Sequence, residues 1–237
     1  MSKDIDFTGE RFIPDQTSKR IADDHFSRYR FALQFVRSKF VLDVACGSGY
    51  GSALLKQEGR AMRVDGVDVD PDLVEYAKSH FQIDGVNFFV DDLANHHLRD
   101  TYDVIISFET IEHIDDYRKA LHNLYGLLTA GGVLVISTPN RLITSPKLAS
   151  FQEKPDNPFH VREFVLPELI GILRDARFTV DPGEVYGQRQ QQYFGNKYLR
   201  RIYKILFQPD VRLSPEVRKL HAQPRYIIVV ARKLPTP

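Results

Sequence analysis

The stretch Val41-Leu-Asp-Val-Ala-Cys-Gly-Ser-Gly-Tyr-Gly51 constrains the chain most, because an apolar β-branched run that ends in an acid and passes into clustered glycines reads as strand, tight turn and helix. Such a turn lets backbone approach a nucleotide closely. The dinucleotide fingerprint Gly-x-Gly-x-x-Gly fits it poorly: after Gly47 and Gly49 the third glycine should stand where Ser52 is, and Gly51 comes one residue early. A pyrophosphate-binding dehydrogenase turn is therefore not the natural reading. A ligand-free turn and a different nucleoside cofactor stay open at this point.

The rest of the chain alternates. The periodicity predicts an entry helix over 24–36 behind a possible Asp cap, a first strand 41–44 and a helix 50–57. Next come a strand 63–69, a helix launched by Asp70-Pro71 over 72–80, and a third strand 86–90 that stops at Asp91-Asp92. A fourth strand, 102–108, is almost wholly apolar, as burial on both faces requires. A helix capped by Asp115 or Asp116 and closed by Gly131 leads to a fifth strand, 133–137. A long proline-bearing loop precedes a helix starting at Pro167, and two final strands, 178–188 and 226–231, form a hairpin pair. The expected fold is α/β, a doubly wound, Rossmann-like, seven-stranded and mostly parallel sheet with an antiparallel edge strand. Its ligand lies outside the carboxyl ends of the first and fourth strands, where the strand order reverses.

At 237 residues this is most economically one domain: arm and entry helix to residue 38, core over 39–188, an insert over 189–224, and a final strand and tail over 225–237. A formal charge of +1 gives no field for long nucleic acid. The lone Cys46 excludes an intrachain disulfide and suits a reducing compartment. Acids near Met1 and the lack of a long apolar run argue against a leader or transmembrane span, so cytoplasmic residence is expected.

Asp68 follows the glycine turn by the spacing at which an acid accepts both ribose hydroxyls. Asp92 is placed to accept from an adenine amino group, with Leu93 packing on the base. Arg11, Arg162, Arg189, Gln188 and Gln190 to Gln192 are candidates for an acceptor pocket. In the insert, Lys197, Arg200, Arg201 and Lys204 share one helical face, and Tyr198, Leu199, Ile202 and Leu206 the other. That pattern suits a core-packed helix, a lid over a nucleotide or lipid diphosphate, or peripheral contact with an anionic membrane.

With Ala45 in the first glycine's place, Asp43 to Gly51 resembles motif I of the class I S-adenosylmethionine (SAM)-dependent methyltransferases. The segments Phe7-Thr-Gly-Glu-Arg-Phe-Ile-Pro14, Arg28-Tyr-Arg-Phe-Ala32, Ser107-Phe-Glu-Thr-Ile-Glu-His113, Ser137-Thr-Pro-Asn140, Asn157-Pro-Phe-His-Val-Arg-Glu-Phe164 and Gly187-Gln-Arg189 resemble bacterial methyltransferases of surface-glycan and sugar-modification clusters. The resemblance implies SAM as cofactor, held by Ala45, Gly47, Gly49, Asp68, Val69, Asp92, Leu93 and Phe108, with Tyr29 and Asp43 near its ammonium and carboxylate. It departs at Ala45, which restricts the turn.

Glu109, Glu112 and His113 form Glu-x-x-Glu-His just past the fourth strand, and on a helix residues three and four apart share a face. With His160 as a fourth ligand they suit Mg²⁺ or another divalent cation. The pattern resembles the metal site of small-RNA 2′-O-methyltransferases and hydroquinone O-methyltransferases. The alternative is a helix-capping Glu-His with no metal, which leaves His113 or His160 as general base. The leading expectation is O-methylation of a sugar or glycan intermediate, nucleotide- or lipid-linked. Other readings are a quinone-type or other small-molecule O-methyltransferase, an amino-sugar N-methyltransferase, and a SAM-binding module without turnover.

Overall fold

The computed structural model describes residues 12–13, 17–147, 153–192, 213 and 222–235. Arg11, Lys197, Arg200, Arg201 and Lys204, with the rest of the basic helix expected in the insert, lie outside the described residues.

Seven strands form one sheet in the order β3-β2-β1-β4-β5-β7-β6. They are β1 (Phe40–Val44), β2 (Arg63–Asp68), β3 (Val86–Val90), β4 (Tyr102–Phe108), β5 (Leu128–Pro139), β6 (Thr179–Gln192) and β7 (Ala222–Arg232). The first five are parallel, and β7 runs antiparallel between β5 and β6. The helices are α1 (Lys19–Val36), α2 (Tyr50–Gln57), α3 (Pro71–Phe81), α4 (Tyr117–Leu127), α5 (Arg141–Thr144) and α6 (Leu166–Asp175). None among the described residues is long and apolar enough to cross a membrane.

The sheet is buried on both faces, and adjacent residues of one strand serve opposite cores. Ile105 packs with Leu42, Leu134, Leu121, Leu124, Leu169 and Leu173 on the α4–α6 side. Val104 and Ile106 pack with Val41, Val64, Ala32, Val36, Leu55 and Ala77 on the α1–α3 side. The parallel register sets Val44 beside Ser107 and Val67, and Asp68 beside Val90, so the strands end together on one edge. Because β2 and β4 flank β1 on opposite sides, the crevice opens there.

Several boundaries differ from expectation. Helix α1 starts at Lys19, where a Lys19–Asp23 ion pair of 3.0 Å supports a polar first turn, and Asp24 is no cap but a buried side chain inside the helix. Helix α4 is capped by Asp116, which accepts from the Lys119 N–H, but ends at Leu127; Gly131, at φ 79°, lies within β5 instead of closing the helix. The last two strands pair to Gln192↔Ala222, past the expected boundary at residue 189.

Candidate active site

The glycine turn is fixed by its neighbours as much as by itself. The Cys46 N–H donates to the Val67 carbonyl at 3.0 Å, and the Gly47 N–H to Asp68 Oδ2 at 2.9 Å, so the end of β2 holds the turn open. Three residues there are left-handed: Ala45 at φ 53°, Gly47 at 56° and Gly49 at 86°. The first is strained, since an L side chain pays for this conformation and glycine does not. A Cβ placed on Gly47 would meet nothing within 4 Å among the described residues, so this position faces open space. Gly49 has another reason: it is the N-cap of α2, and a Cβ would come within 2.6 Å of Ala77 and 2.8 Å of Phe88. Gly51 has a third, because a Cβ would stand 2.0 Å from the Tyr29 ring.

A cavity of about 760 Å³ opens over this turn, a size that suits a nucleoside-sized ligand together with a small partner. Of the expected cofactor residues, Tyr29, Ala45, Gly47, Asp68, Val69, Asp92, Leu93 and Phe108 line it. Val69 is 64% exposed, an apolar side chain left uncovered beside Leu93. Asp68 has its second oxygen on the Asp70 N–H at 3.0 Å, so its carboxylate is oriented before any ligand arrives. Asp92 accepts from the Ala94 N–H and the Asn95 amide, both at 2.9 Å; these bonds, that from Asn95 foremost, hold its carboxyl below the usual range.

Two expected cofactor residues sit elsewhere. Gly49 serves packing, as above. Asp43 is fully buried behind the turn, where its carboxyl accepts from Tyr29 Oη at 3.0 Å and Ser52 Oγ at 2.6 Å. Burial pushes its pKa up to about 7 against the pull of those two donors. It ties β1 to α1 and α2.

The expected metal set is gathered only in part. After β4 the chain does not enter an α-helix; Glu109 turns left-handed, at φ 51°, and only Ile111–His113 forms a short 3₁₀ turn. The three-and-four spacing rule therefore does not apply. Glu109 accepts from Ser137 Oγ at 2.6 Å and lines the cavity, whereas one potential ligand atom from each of Glu112, His113 and His160 falls within 4.8 Å. Of these three, His160 already has partners on both ring nitrogens. Asn157 Oδ1 accepts from the Phe159 N–H, which turns the Asn157 amide N–H onto His160 Nε2 at 2.8 Å and fills that lone pair. His160 Nδ1 then donates to Glu163 at 2.8 Å. Burial and the nearby Glu109 push the Glu112 carboxyl well above the usual range.

His113 and His160 thus part company, although their rings meet edge to face at 5.0 Å. His160 is 5% exposed and does not line the cavity. Burial alone would raise Glu163, but hydrogen bonds from His160 and Thr144 hold it below the carboxylate range, and this buried set pins the segment 157–164. His113 does line the cavity, and its Nδ1–H donates to the Phe159 carbonyl at 2.9 Å. In the neutral ring the basic nitrogen is then Nε2.

Sequence reasoning missed an aromatic wall. Phe12 packs at a tilt of 56° against Tyr50, with ring centroids 4.3 Å apart, and Tyr50 meets Phe26 and Tyr29 at 5.1 and 5.2 Å. Ser48 Oγ donates to the Phe12 carbonyl at 2.8 Å, tying the arm to the turn. The signal was present in the aromatic residues near Phe12. His25 joins this wall, where burial brings its pKa down to about 3 and keeps it neutral. Asp91 lines the cavity beside Asp92 and accepts from the His97 N–H at 3.0 Å. Of the acceptor candidates, Gln188 and Arg189 are buried against α1, while Arg162 pairs with Glu168 away from the cavity.

Known proteins resemble this chain in sequence and fold. Residues 18–182 match the methyltransferase domain family. A probable SAM-dependent methyltransferase of Mycolicibacterium smegmatis is 33% identical over 184 residues, 75% of this chain and 66% of the relative. A ubiquinone biosynthesis O-methyltransferase of Xanthomonas axonopodis pv. citri is 32% identical over 153 residues, 60% of this chain and 63% of the relative. The chain thus spans less than two thirds of these curated relatives. The solved N-methyltransferase NodS of Bradyrhizobium japonicum, in complex with S-adenosyl-L-homocysteine (SAH), has the same fold, with a TM-score of 0.59 at 16% identity over 92% of this chain and 89% of that one. With the glycine turn, the strand-end acids and a family match across most of its length, the chain belongs to the class I SAM-dependent methyltransferases.

Proposed function

We propose that the protein transfers the methyl group of SAM to a hydroxyl of a small acceptor, a sugar or glycan intermediate, with His113 taking the hydroxyl proton. One observation carries the catalytic part: His113 borders the cavity next to the β4 end, and its Nδ1–H is committed to the Phe159 carbonyl, so Nε2 is the nitrogen that accepts. SAM, when bound, supplies an activated methyl, so alignment and proton removal are the protein's main tasks. Asp68 would hold the ribose hydroxyls, with Val69 and Leu93 against the base and Asp91 and Asp92 at its edge, all of them lining the cavity. As the oxygen–methyl bond formed and the sulfur–methyl bond broke, leaving SAH as the neutral thioether, the hydroxyl proton would pass to His113 Nε2.

The sugar or glycan class rests on the resemblance of the segments 28–32 and 157–164, the second of which brings Phe159 to the cavity. A quinone-type hydroxyl is the second reading, favoured by the Xanthomonas relative and by the exposed Phe159 ring. No divalent cation enters the proposal, since His160 is already engaged by Asn157 and Glu163. The buried Cys46 accords with a reducing, cytoplasmic setting.

Calorimetry with SAH tests the cofactor assignment. Asp68→Ala is expected to weaken SAH by about a hundredfold, the loss of two hydrogen bonds to a charged acceptor. Wild-type protein that ignores SAH, or a variant that binds it as well, would overturn the assignment.

A further inference from the structure

Glu109 borders the cavity just past the end of β4, yet methyl transfer as described gives it no task. Its backbone is left-handed, at φ 51°, a conformation that costs energy for any residue with a side chain and that gathers at ligand sites. Ser137, fully buried on β5, holds it there by backbone and side chain together. The Glu109 N–H donates to Ser137 Oγ and to the Ser137 carbonyl, each at 3.2 Å, and the hydroxyl in turn donates to Glu109 Oε1 at 2.6 Å. One carboxylate oxygen is thereby fixed. The other, Oε2, has no hydrogen-bond partner among the described residues and is not sealed from solvent.

Joining β4 to β5 does not require this arrangement, because the parallel register up to Phe108↔Ser137 already does so. A carboxylate oxygen only accepts, so what completes Glu109 is a donor. Charge narrows the choice. From behind the cavity wall Arg28, whose Nη1 donates to Gln188 at 2.9 Å, and Arg225 each face Glu109 as well as Asp24. The negative charge of Glu109 is thus already opposed, and a neutral donor suits it better than a further cation. His113, anchored separately on the Phe159 carbonyl, borders the same cavity. We propose that Glu109 Oε2 accepts a hydrogen bond from a second hydroxyl of the acceptor, so that the enzyme selects molecules with two neighbouring hydroxyls and presents one of them to His113. The inference rests on the methyl-transfer reading for the role of His113, while the contact with the diol does not.

The test uses the full chain saturated with SAH. Catechol is titrated against phenol, and methyl α-mannopyranoside against tetrahydropyran-4-ol, with binding followed by calorimetry. At least one diol should bind about tenfold tighter or more than its single-hydroxyl counterpart, as a hydrogen bond to a charged group provides. Which diol does so separates an aromatic source from a sugar. Glu109→Gln keeps an oxygen for Ser137 and turns a donor to the cavity, so it should lose that preference while SAH affinity is retained. Glu109→Asp, which keeps the charge on a shorter arm, should lose it too, and decides the matter if the Gln variant does not fold. Wild type that binds diols no better than single hydroxyls, or that binds none of the probes, overturns the proposal. So does a variant that keeps the preference. Methyl transfer from SAM to the same probes keeps the two readings apart. A diol held through Glu109 but never methylated counts against the methyl-transfer reading alone, and single-hydroxyl probes methylated as readily as diols count against the diol contact alone.

Discussion

The two halves of the cavity are built differently. On the strand-end side, Asp68, Asp91 and Asp92 are each held by backbone N–H groups within a few residues or at the adjoining turn, so the acids are aimed before a ligand binds. On the other side, Arg28 meets Gln188 across a sequence separation of 160, Glu109 is left-handed, and both Arg28 and Glu112 keep a buried polar atom without a partner among the described residues. The first half is finished by local hydrogen bonds, whereas the second is assembled from distant residues and keeps buried polar atoms unsatisfied among the described residues.

The sharpest way to break this contrast is through the paired histidines. His113→Ala should lower kcat by about a hundredfold or more with SAH affinity and stability nearly intact, the range for a general base. His160→Ala should do the reverse, costing about 2 kcal/mol or more in urea unfolding by stripping a donor from buried Glu163. Equal effects of both variants on kcat at equal stability would erase the distinction. The finished half is probed by Gly51→Ala, where the new methyl meets the Tyr29 ring; a loss of about 1–3 kcal/mol is expected from overpacking, measured by the same unfolding.

A subtler effect concerns pH. The Asp43 carboxyl is raised to about 7 in the folded chain, above its unfolded value, so the native state holds the proton that the unfolded state releases. This contribution is fully present below the unfolded pKa and fades as pH rises through 7. The slope over that window approaches about 1.4 kcal/mol per pH unit for one proton. Asp43→Asn should flatten it, read as urea midpoints of the unliganded protein between pH 4 and 8; parallel curves for the two proteins would reject the assignment. The smallest expected change is Ala45→Gly, which relieves left-handed strain but loosens the unfolded chain, for a net gain of about 0.5 kcal/mol or less. A thermal melt that falls by several degrees would show that Ala45 has a packing role.

Much of the frame was legible in the sequence for a plain reason. Buried parallel strands are continuous apolar runs, and Asp70-Pro71 announces a helix by what its side chain and ring can do, which its bond to the Asp72 N–H bears out. Polar pairing was harder to see: Gln190 to Gln192 look like loop, yet their backbones pair with β7. The candidate site divides along the same line. Strand-end acids were readable because fixed spacing places them, whereas the four-ligand metal idea assumed a helix after β4. A left-handed glutamate leaves no mark in composition or period. Nor does the tautomer of His160, which depends on how Asn157 is turned by the Phe159 N–H. The Arg28–Arg225–Gln188 corner needs the whole sheet order before its members meet.

That order also bears on insertion. Strands β6 and β7 pair through Gln192↔Ala222, so the chain leaves the sheet and rejoins it at adjacent positions. A segment anchored in this way can change in length without shifting the register of either strand or disturbing the glycine turn after β1, which β4 and β5 separate from β7. The sheet therefore tolerates insertion there at little cost to the frame that holds the strand-end acids.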